Sequence, residues 1–444
     1  CVDQLADARF CTVVNATIVC SGTAGYPCRL VEGTFAALRY PNYRRLWSGS
    51  LLATTAFMMS FMLVPSVAFA ITGKNAAAGV AQLGSGIAMF LVSPVGGVIA
   101  DRMPKKPLVL MGQIVPALVI LVTGTLILTD LITIPLLTGA TLIMGLGFAF
   151  MGPARQAWVS ELVPRESLPN AIALQSVAQN ISQVAAPLCI AVLIGTVLSI
   201  GGAYLFMASL FFIVLPLTIS LPNTPPATRE ARTVRRELAD GVGYVWRDLR
   251  LRILWLGFIG LVVCGFAFQT LLPGLLGEEL DRSPSDVGPV FLAFALAGLL
   301  ASLPLAGVVH GPLAWPALLA MGFVMAIGFG LVSMAPTYLT LIVAGIPLGI
   351  GRSGFMLLDN ALLMSSSKRA YHGRVMSLAM MGFGSQALLA PMWGLLADAI
   401  GVRPTMLVVG GVSGVVTTAI GLSWFFLVRH LPPVAEDPDL LPAA

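Results

Sequence analysis

The chain has 444 residues, of which 57% are hydrophobic and only 10% charged, with a mean hydropathy of +0.91 and a formal net charge of +5. A soluble domain carries about 25% charged residues, and a globule of this length needs a charged skin that this composition does not supply. Disorder is excluded, a water-soluble enzyme is disfavoured, and a polytopic membrane protein remains, with apolar side chains facing lipid.

In chain order, residues 1–33 differ from the rest. They hold four of the six cysteines, Cys1, Cys11, Cys20 and Cys28, without CxxC zinc spacing. Their longest apolar run is too short to span a bilayer and has no basic segment before it. This stretch reads as a disordered or spurious extension, with a lipid-modified Cys1 as the sharper alternative. From Trp47 onward, apolar runs of about 20 residues alternate with short polar breaks. Six are expected at Trp47–Thr72, Ala77–Ala100, Leu108–Leu128, Ile134–Met151, Ala171–Ser199 and Ala203–Leu221. Six more begin at Ile253, Val287, Trp315, Tyr338, Val375 and Met406. The expected fold is an all-α polytopic membrane protein of twelve transmembrane helices in two pseudo-symmetric six-helix bundles, residues 34–221 and 253–428. Residues 222–252 form a linker with seven arginines, and residues 429–444 a tail. Val234, Leu238, Val242, Val245 and Leu249 recur at helical spacing in the linker, as in an amphipathic helix lying at a membrane surface.

The placement of Lys and Arg sets the expected orientation. With both termini cytoplasmic, nineteen basic residues after Val31 face inward, and only Lys74, Arg282 and Arg403 face outward. The acids that interrupt the linker arginines argue against nucleic acid as a partner. The halves also echo each other. Ser182-Gln183 through Ala186-Pro187 resembles Ser385-Gln386 through Ala390-Pro391, 204 residues on. Six-plus-six repeats are common among transporters, whose sites lie between the repeats near mid-membrane.

Three stretches carry a family likeness. The loop after the second span reads Gly97-Val-Ile-Ala-Asp101-Arg102-Met-Pro104-Lys105-Lys106. Gly97 permits close helix approach, and Asp101 at a helix end can accept hydrogen bonds from a facing helix or arginine. This loop resembles the signature of the major facilitator superfamily, with Pro104 where Gly is usual. Leu38-Arg39-Tyr40 through Arg44-Arg45-Leu46-Trp47, and Gly152-Pro153-Ala154-Arg155-Gln156 through Leu168-Pro-Asn170-Ala171, resemble its drug- and siderophore-efflux branch, which includes enterobactin exporters and macrolide-efflux proteins. So does Gly373-Arg374-Val-Met376-Ser377. The loop around His310 lacks a second copy of the signature, and Ala186-Pro187 stands where antiporters have Gly-Pro.

The resemblance implies a rocker-switch secondary transporter in the bacterial inner membrane. It would export a hydrophobic or amphipathic small molecule, of drug, macrolide or siderophore type, by alternating access with proton antiport, as a monomer. Importer, lysolipid flippase and non-transporting sensor or scaffold are the alternatives. Gating falls to Gly97, Asp101, Arg102, Lys105, Lys106, Arg155 and Arg374. Charges inside the membrane are costly and informative. Arg352 lies near the middle of the tenth span, and Asp359 sits two turns on, on the same face. Asp101, Arg155, Asp359 and Arg374 are expected to form one cytoplasmic cluster. Arg352 either attracts an anionic or carbonyl-rich substrate or pairs permanently with Asp359, and the glycines around it offer a bend. Asn360 and Gln269 are further candidates for proton or substrate contact. Thr54, Thr55, Phe57, Met58, Phe61, Met144, Phe148 and Phe266 are cavity candidates, since Phe and Met suit bulky amphipathic cargo. No catalytic set, metal spacing or phosphate loop is present in the sequence, so no enzyme activity and no cofactor are expected, and an ion gradient is the expected driver.

Overall fold

The computed structural model describes residues 11–14, 17–20, 35–196, 198–223, 234–309, 311–368 and 371–430. Side chains of several helical residues, including 93–102, 372–374, 377 and 380, lie outside this description. In the first 33 residues, Cys11–Val14 (β1) and Thr17–Cys20 (β2) pair as an antiparallel hairpin with Cys11 opposite Cys20, where the composition shows no sign of order. The other described elements are helices and turns.

The first six long helices are α1 (Pro41–Thr72), α2 (Asn75–Arg102), α3 (Lys105–Leu128), α4 (Ile134–Leu162), α5 (Leu168–Thr196) and α6 (Ile200–Ile219). The linker contributes α7 (Val234–Arg247), which is strongly amphipathic. The second six are α8 (Leu249–Gly274), α9 (Val287–Ala306), α10 (Ala314–Ser333), α11 (Tyr338–Ser365), α12 (His372–Ile400) and α13 (Val402–Ser423). Among the described residues, eleven helices are long and apolar enough to cross a membrane. At 29 residues, α12 is about 43 Å long and is the twelfth helix of spanning length. Helix ends follow ordinary capping rules. Asp248 accepts from the Arg250 and Leu251 amides at the start of α8, Thr337 and Thr340 form a capping box on α11, and Gly73 takes the left-handed conformation (φ 64°) that ends α1.

The fourth span is longer than its apolar run implies. Pro153 sits inside α4 without ending it, and Arg155 is carried within the helix rather than in a loop. The glycines around Arg352 also behave differently from a hinge. α11 runs unbroken through them, and a Cβ at Gly349 or Gly351 would collide with the backbone of α9 at Phe294 or of α10 at Met325. They serve close backbone approach.

Within the first half, α1 packs on α5 and α6, and α2 on α4. Within the second, α11 packs on α9 and α10, and α12 on α8. The most extensive interhelical contact, α2 against α12, joins the halves, and α5 against α9 forms the opposite seam. Both seams are made by small residues. A Cβ on Gly79 would meet Ala390 and Pro391 backbone at 2.6 Å, one on Gly384 would meet Phe90, and one on Gly288 would meet Ala191. The described hydrogen bonds between the halves all lie toward one end of the bundle, which carries Asn75, Glu278 and Asp398. That end is called the Asn75 end below, and the other, which carries α7, the linker end.

Gly79→Val is expected to force α2 off α12 and to cost about 1–3 kcal/mol. Gly411→Val, where a Cβ meets nothing within 4 Å, is expected to leave stability unchanged. Thermal unfolding of the two variants in detergent measures the difference.

Candidate functional site

The cavity candidates come together as one row of rings that crosses from the first half to the second. Phe148 on α4 stacks on Phe57 of α1 at 4.2 Å between centroids, and Phe57 leads to Phe61 at 6.4 Å. Phe61 meets Phe266 of α8 edge to face at 6.1 Å, Phe266 meets Phe383 of α12 at 6.1 Å, and Phe383 meets Phe258 at 5.5 Å. Offset and edge-to-face pairs at these distances are the favourable aromatic geometries. Thr54, Phe57 and Met144 are buried, and Met58, Phe61, Phe148 and Phe266 are half-buried. The Ser60 hydroxyl donates to the Met144 sulfur at 3.6 Å, and Thr55 donates to Ser182 at 3.2 Å, tying α1 to α4 and α5.

Arg352 completes the row. Its guanidinium lies 3.9 Å from the centroid of Phe266 and 5.3 Å from that of Phe294 on α9. Its aliphatic stem lies against Gly265, where a Cβ would come within 3.4 Å of Cδ, so the missing side chain at 265 makes room for the arginine. Its Nε is buried and makes no hydrogen bond among the described residues. The Arg352–Asp359 pair, one of the two alternatives for this arginine, is not formed among the described residues. Seven residues on one helix separate the two Cα positions by about 10.5 Å along the axis, and aromatic faces supply the arginine's electrostatic partner instead.

Asp359 is 1% exposed, and neither carboxylate oxygen has a hydrogen-bond partner among the described residues. Asn360 turns its amide back to the Met356 carbonyl at 2.8 Å. The expected cluster of Asp101, Arg155, Asp359 and Arg374 is not assembled by the described groups. Arg155 reaches Thr54 of α1 at 3.4 Å, inside its own half, and Asp359 stands apart from it. The side chains of Asp101, Arg102 and Arg374, and the surroundings of Gly97, lie outside the described residues. Lys105 is buried rather than splayed into a loop, with Nζ 3.4 Å from the Met103 carbonyl. Lys106 donates to the Leu221 carbonyl at 2.8 Å, just past the end of α6. Gln269 joins the halves by donating to the Phe61 carbonyl at 2.7 Å, and so does not present its amide to a cavity.

Sequence reasoning missed Phe383, Phe294, Phe258 and Gly265, which complete the row of rings and its arginine. Phe383 and Phe294 lie in runs whose other residues are equally apolar, and no pattern marks them. The Leu38–Trp47 and Leu168–Ala171 motifs meet each other. Asn170 accepts from the Ala37 amide at 2.9 Å, Tyr43 donates to the Ala171 carbonyl at 2.7 Å, and Trp47 to the Leu174 carbonyl at 2.7 Å. These bonds clasp α1 to α5 at the linker end.

Two six-helix groups joined along small-residue seams, with a row of aromatic rings crossing from one to the other, define a polytopic membrane transport protein of two-bundle type. The profile of the Major Facilitator Superfamily matches residues 46–391, and the chain belongs to that family. It is similar to the enterobactin exporter EntS of Shigella boydii serotype 18, with 27% identity over 76% of this chain and 81% of that protein. The enterobactin exporter EntS of Escherichia coli O139:H28 shows the same identity and coverage. The fold is shared with the nucleoside transporter NupG (TM-score 0.71, 15% identity, 87% of this chain and 99% of that one). It is shared too with a POT family transporter solved with 5-aminolevulinic acid (TM-score 0.70, 13% identity, 86% and 96%).

A double-mutant cycle on Arg352→Met and Phe266→Leu is expected to return a coupling of roughly 0.5–2 kcal/mol in thermal stability. The same cycle with Arg352→Met and Asp359→Asn is expected to return none.

Proposed function

We propose that this protein is a secondary active transporter that exports a hydrophobic or amphipathic small molecule, of drug, macrolide or siderophore type, by alternating access coupled to proton entry. The observation that carries this reading is the row from Phe148 through Phe57, Phe61 and Phe266 to Arg352, built from both halves of the molecule. Rings offer a bulky apolar body broad contact without demanding a fixed hydrogen-bond pattern. Arg352, with no anionic partner among the described residues, attracts a negatively charged or carbonyl-rich group on the same molecule. Likeness to enterobactin exporters supports export and a siderophore-sized cargo. The basic loops favour a cytoplasmic position for both termini, so the Asn75 end faces outward and the linker end inward. The protein works as a monomer in the bacterial inner membrane.

Helix separation at one end of such a bundle accompanies closure at the other. Phe61 and Phe266 lie on opposite halves, so a molecule held between them is released when the halves part. Asp359 carries the proton. An ionised, unpartnered carboxylate in apolar surroundings is far more costly than the neutral acid, so this side chain loses its proton when water or a cation reaches it and is reprotonated before burial returns. Gating by Asp101, Arg102, Lys105, Lys106, Arg155 and Arg374 belongs to the same reading, with the charges at the linker end re-pairing as that end closes.

Export from inverted vesicles or loaded cells is expected to rise as the compartment facing the Asn75 end is made more acid, because the inward proton gradient then grows. Asp359→Asn is expected to flatten that dependence, and identical pH profiles for the variant and wild type would remove the proton role. Arg352→Ala is expected to lower export of anionic cargo roughly tenfold or more, in line with loss of a charge-assisted contact, while a neutral cargo of similar size is spared. A compound-accumulation screen in efflux-deficient cells identifies the cargo.

A further inference from the structure

The Asn75 end holds a contact that the row of rings does not use. A helix begins with backbone N–H groups that have no partner inside the helix. In α2 the first two are satisfied from the other half of the molecule. The Asn75 amide donates to Oδ1 of Asp398 at 2.8 Å, and the Ala76 amide donates to Oδ2 of the same carboxylate at 3.0 Å. Asp398 stands near the end of α12, so one carboxylate spans the seam and also complements the positive end of the α2 dipole. The Asn75 side chain reaches a third helix of the opposite half, donating from Nδ2 to Oε1 of Glu278 at 2.8 Å, where α8 continues into a wide final turn, Leu275–Glu279.

Asn75 is 0% exposed, although it begins its helix. It is wedged between two glycines of the second half. A Cβ on Gly274 of α8 would strike the Asn75 side chain, and a Cβ on Gly394 of α12 would strike its backbone. The two glycines and the two carboxylates form a socket for one residue of the first half. Three other charges of this end are engaged elsewhere. Glu279 pairs with Arg403 at 2.7 Å, and Arg282 lies over Tyr338 at 5.2 Å. Further in along the same seam, Gln82 of α2 donates to Thr270 of α8 at 2.8 Å, so the closure continues below the socket.

We propose that Asn75, Asp398 and Glu278 form the latch that holds the Asn75 end closed, and that Asp398 positions the two halves during transport by capping α2 only in that state. The transport cycle itself rests on the function proposed above. Opening this end withdraws the carboxylate and leaves two helix-start amides and one asparagine amide to water. Strength of the latch therefore sets how much of the cycle is spent closed at this end. The opposite seam gives Gly288 a close contact with Ala191.

The test replaces all six native cysteines with serine, introduces Ala78→Cys one turn below the socket, and measures labelling by a membrane-impermeant maleimide added on the Asn75 side. Asp398→Ala is expected to raise the labelling rate roughly tenfold, the population shift that loss of a charge-assisted contact gives. Asn75→Ala is expected to raise it less, because the backbone donors remain. Asp281→Ala, a carboxylate of the same end with no described bond to α2, is expected to leave it unchanged. A second arm guards against misfolding. The pair Ala76→Cys and Asp398→Cys, oxidised to a disulfide, is expected to block transport, and reduction is expected to restore it. Unchanged labelling in Asp398→Ala, or wild-type transport by the oxidised pair, overturns the proposal. Labelling requires no cargo, so a failure there is distinct from an error in the cargo or in the proton site.

Discussion

Lipid offers helices no hydrophobic reward for meeting one another, so a membrane bundle is held by close packing and by the polar groups that packing traps. In this protein that constraint falls on small residues. Gly79, Gly86 and Gly384 let α2 and α12 touch backbone to backbone along the seam. Gly349 and Gly351 do the same for α11 against α9 and α10. The first set joins the halves, and the second stiffens the helix that carries Arg352 and Asp359. Every later feature of the site depends on this division into two packed halves joined along two seams, because the row of rings crosses from one to the other.

Buried charge follows from the same constraint. A guanidinium within a bilayer needs a partner, and the helix that carries Arg352 brings none within reach. Packing α8 and α9 against that helix brings Phe266 and Phe294 to it, and Gly265 leaves room for its stem. Ring quadrupoles attract a cation without neutralising it. The arginine thus keeps its net positive charge, which an ion pair with Asp359 would have cancelled. Asp359 is held apart from Arg352 by the length of two helical turns, so that charge does not offset its own. These two residues act separately, and their separation is a consequence of helix geometry.

Spans and their order were legible in the sequence because a run of apolar residues as long as a bilayer is thick is costly anywhere except in lipid. Helix ends were less so. The fourth apolar run ends at Met151, yet α4 continues through Pro153 to Leu162, since a proline costs little where neighbouring helices and side chains satisfy the freed carbonyl. The rings Phe57, Phe61, Phe148 and Phe266 could be placed on cavity-lining helices from the family resemblance, and they do meet. The partner of Arg352 could not be read. Same-helix spacing pointed to Asp359, whereas the contact comes from Phe266, far away in sequence on another helix. Asn75 carried no signal either, because an asparagine after a glycine and a lysine reads as a turn, and only tertiary packing buries it.

The repeat gives these observations an order. Ala186-Pro187 and Ala390-Pro391 occupy matching places in α5 and α12, so the two seams descend from one pattern and both keep close-packed small residues. What differs between them is polar. One seam ends in Asp398 bound to the start of α2, and buried Arg352 and Asp359 both lie on α11 in the second half. A duplicated scaffold whose repeats run in the same direction supplies two equivalent seams, α2 against α12 and α5 against α9. Polar groups placed in one repeat remove that equivalence. They bind the start of α2 to the end of α12, set a guanidinium against two aromatic faces, and leave a carboxyl with no hydrogen-bond partner among the described residues. The asymmetry of the molecule is therefore carried by a few side chains on a symmetric frame, and those side chains are the ones that the membrane makes most costly to keep.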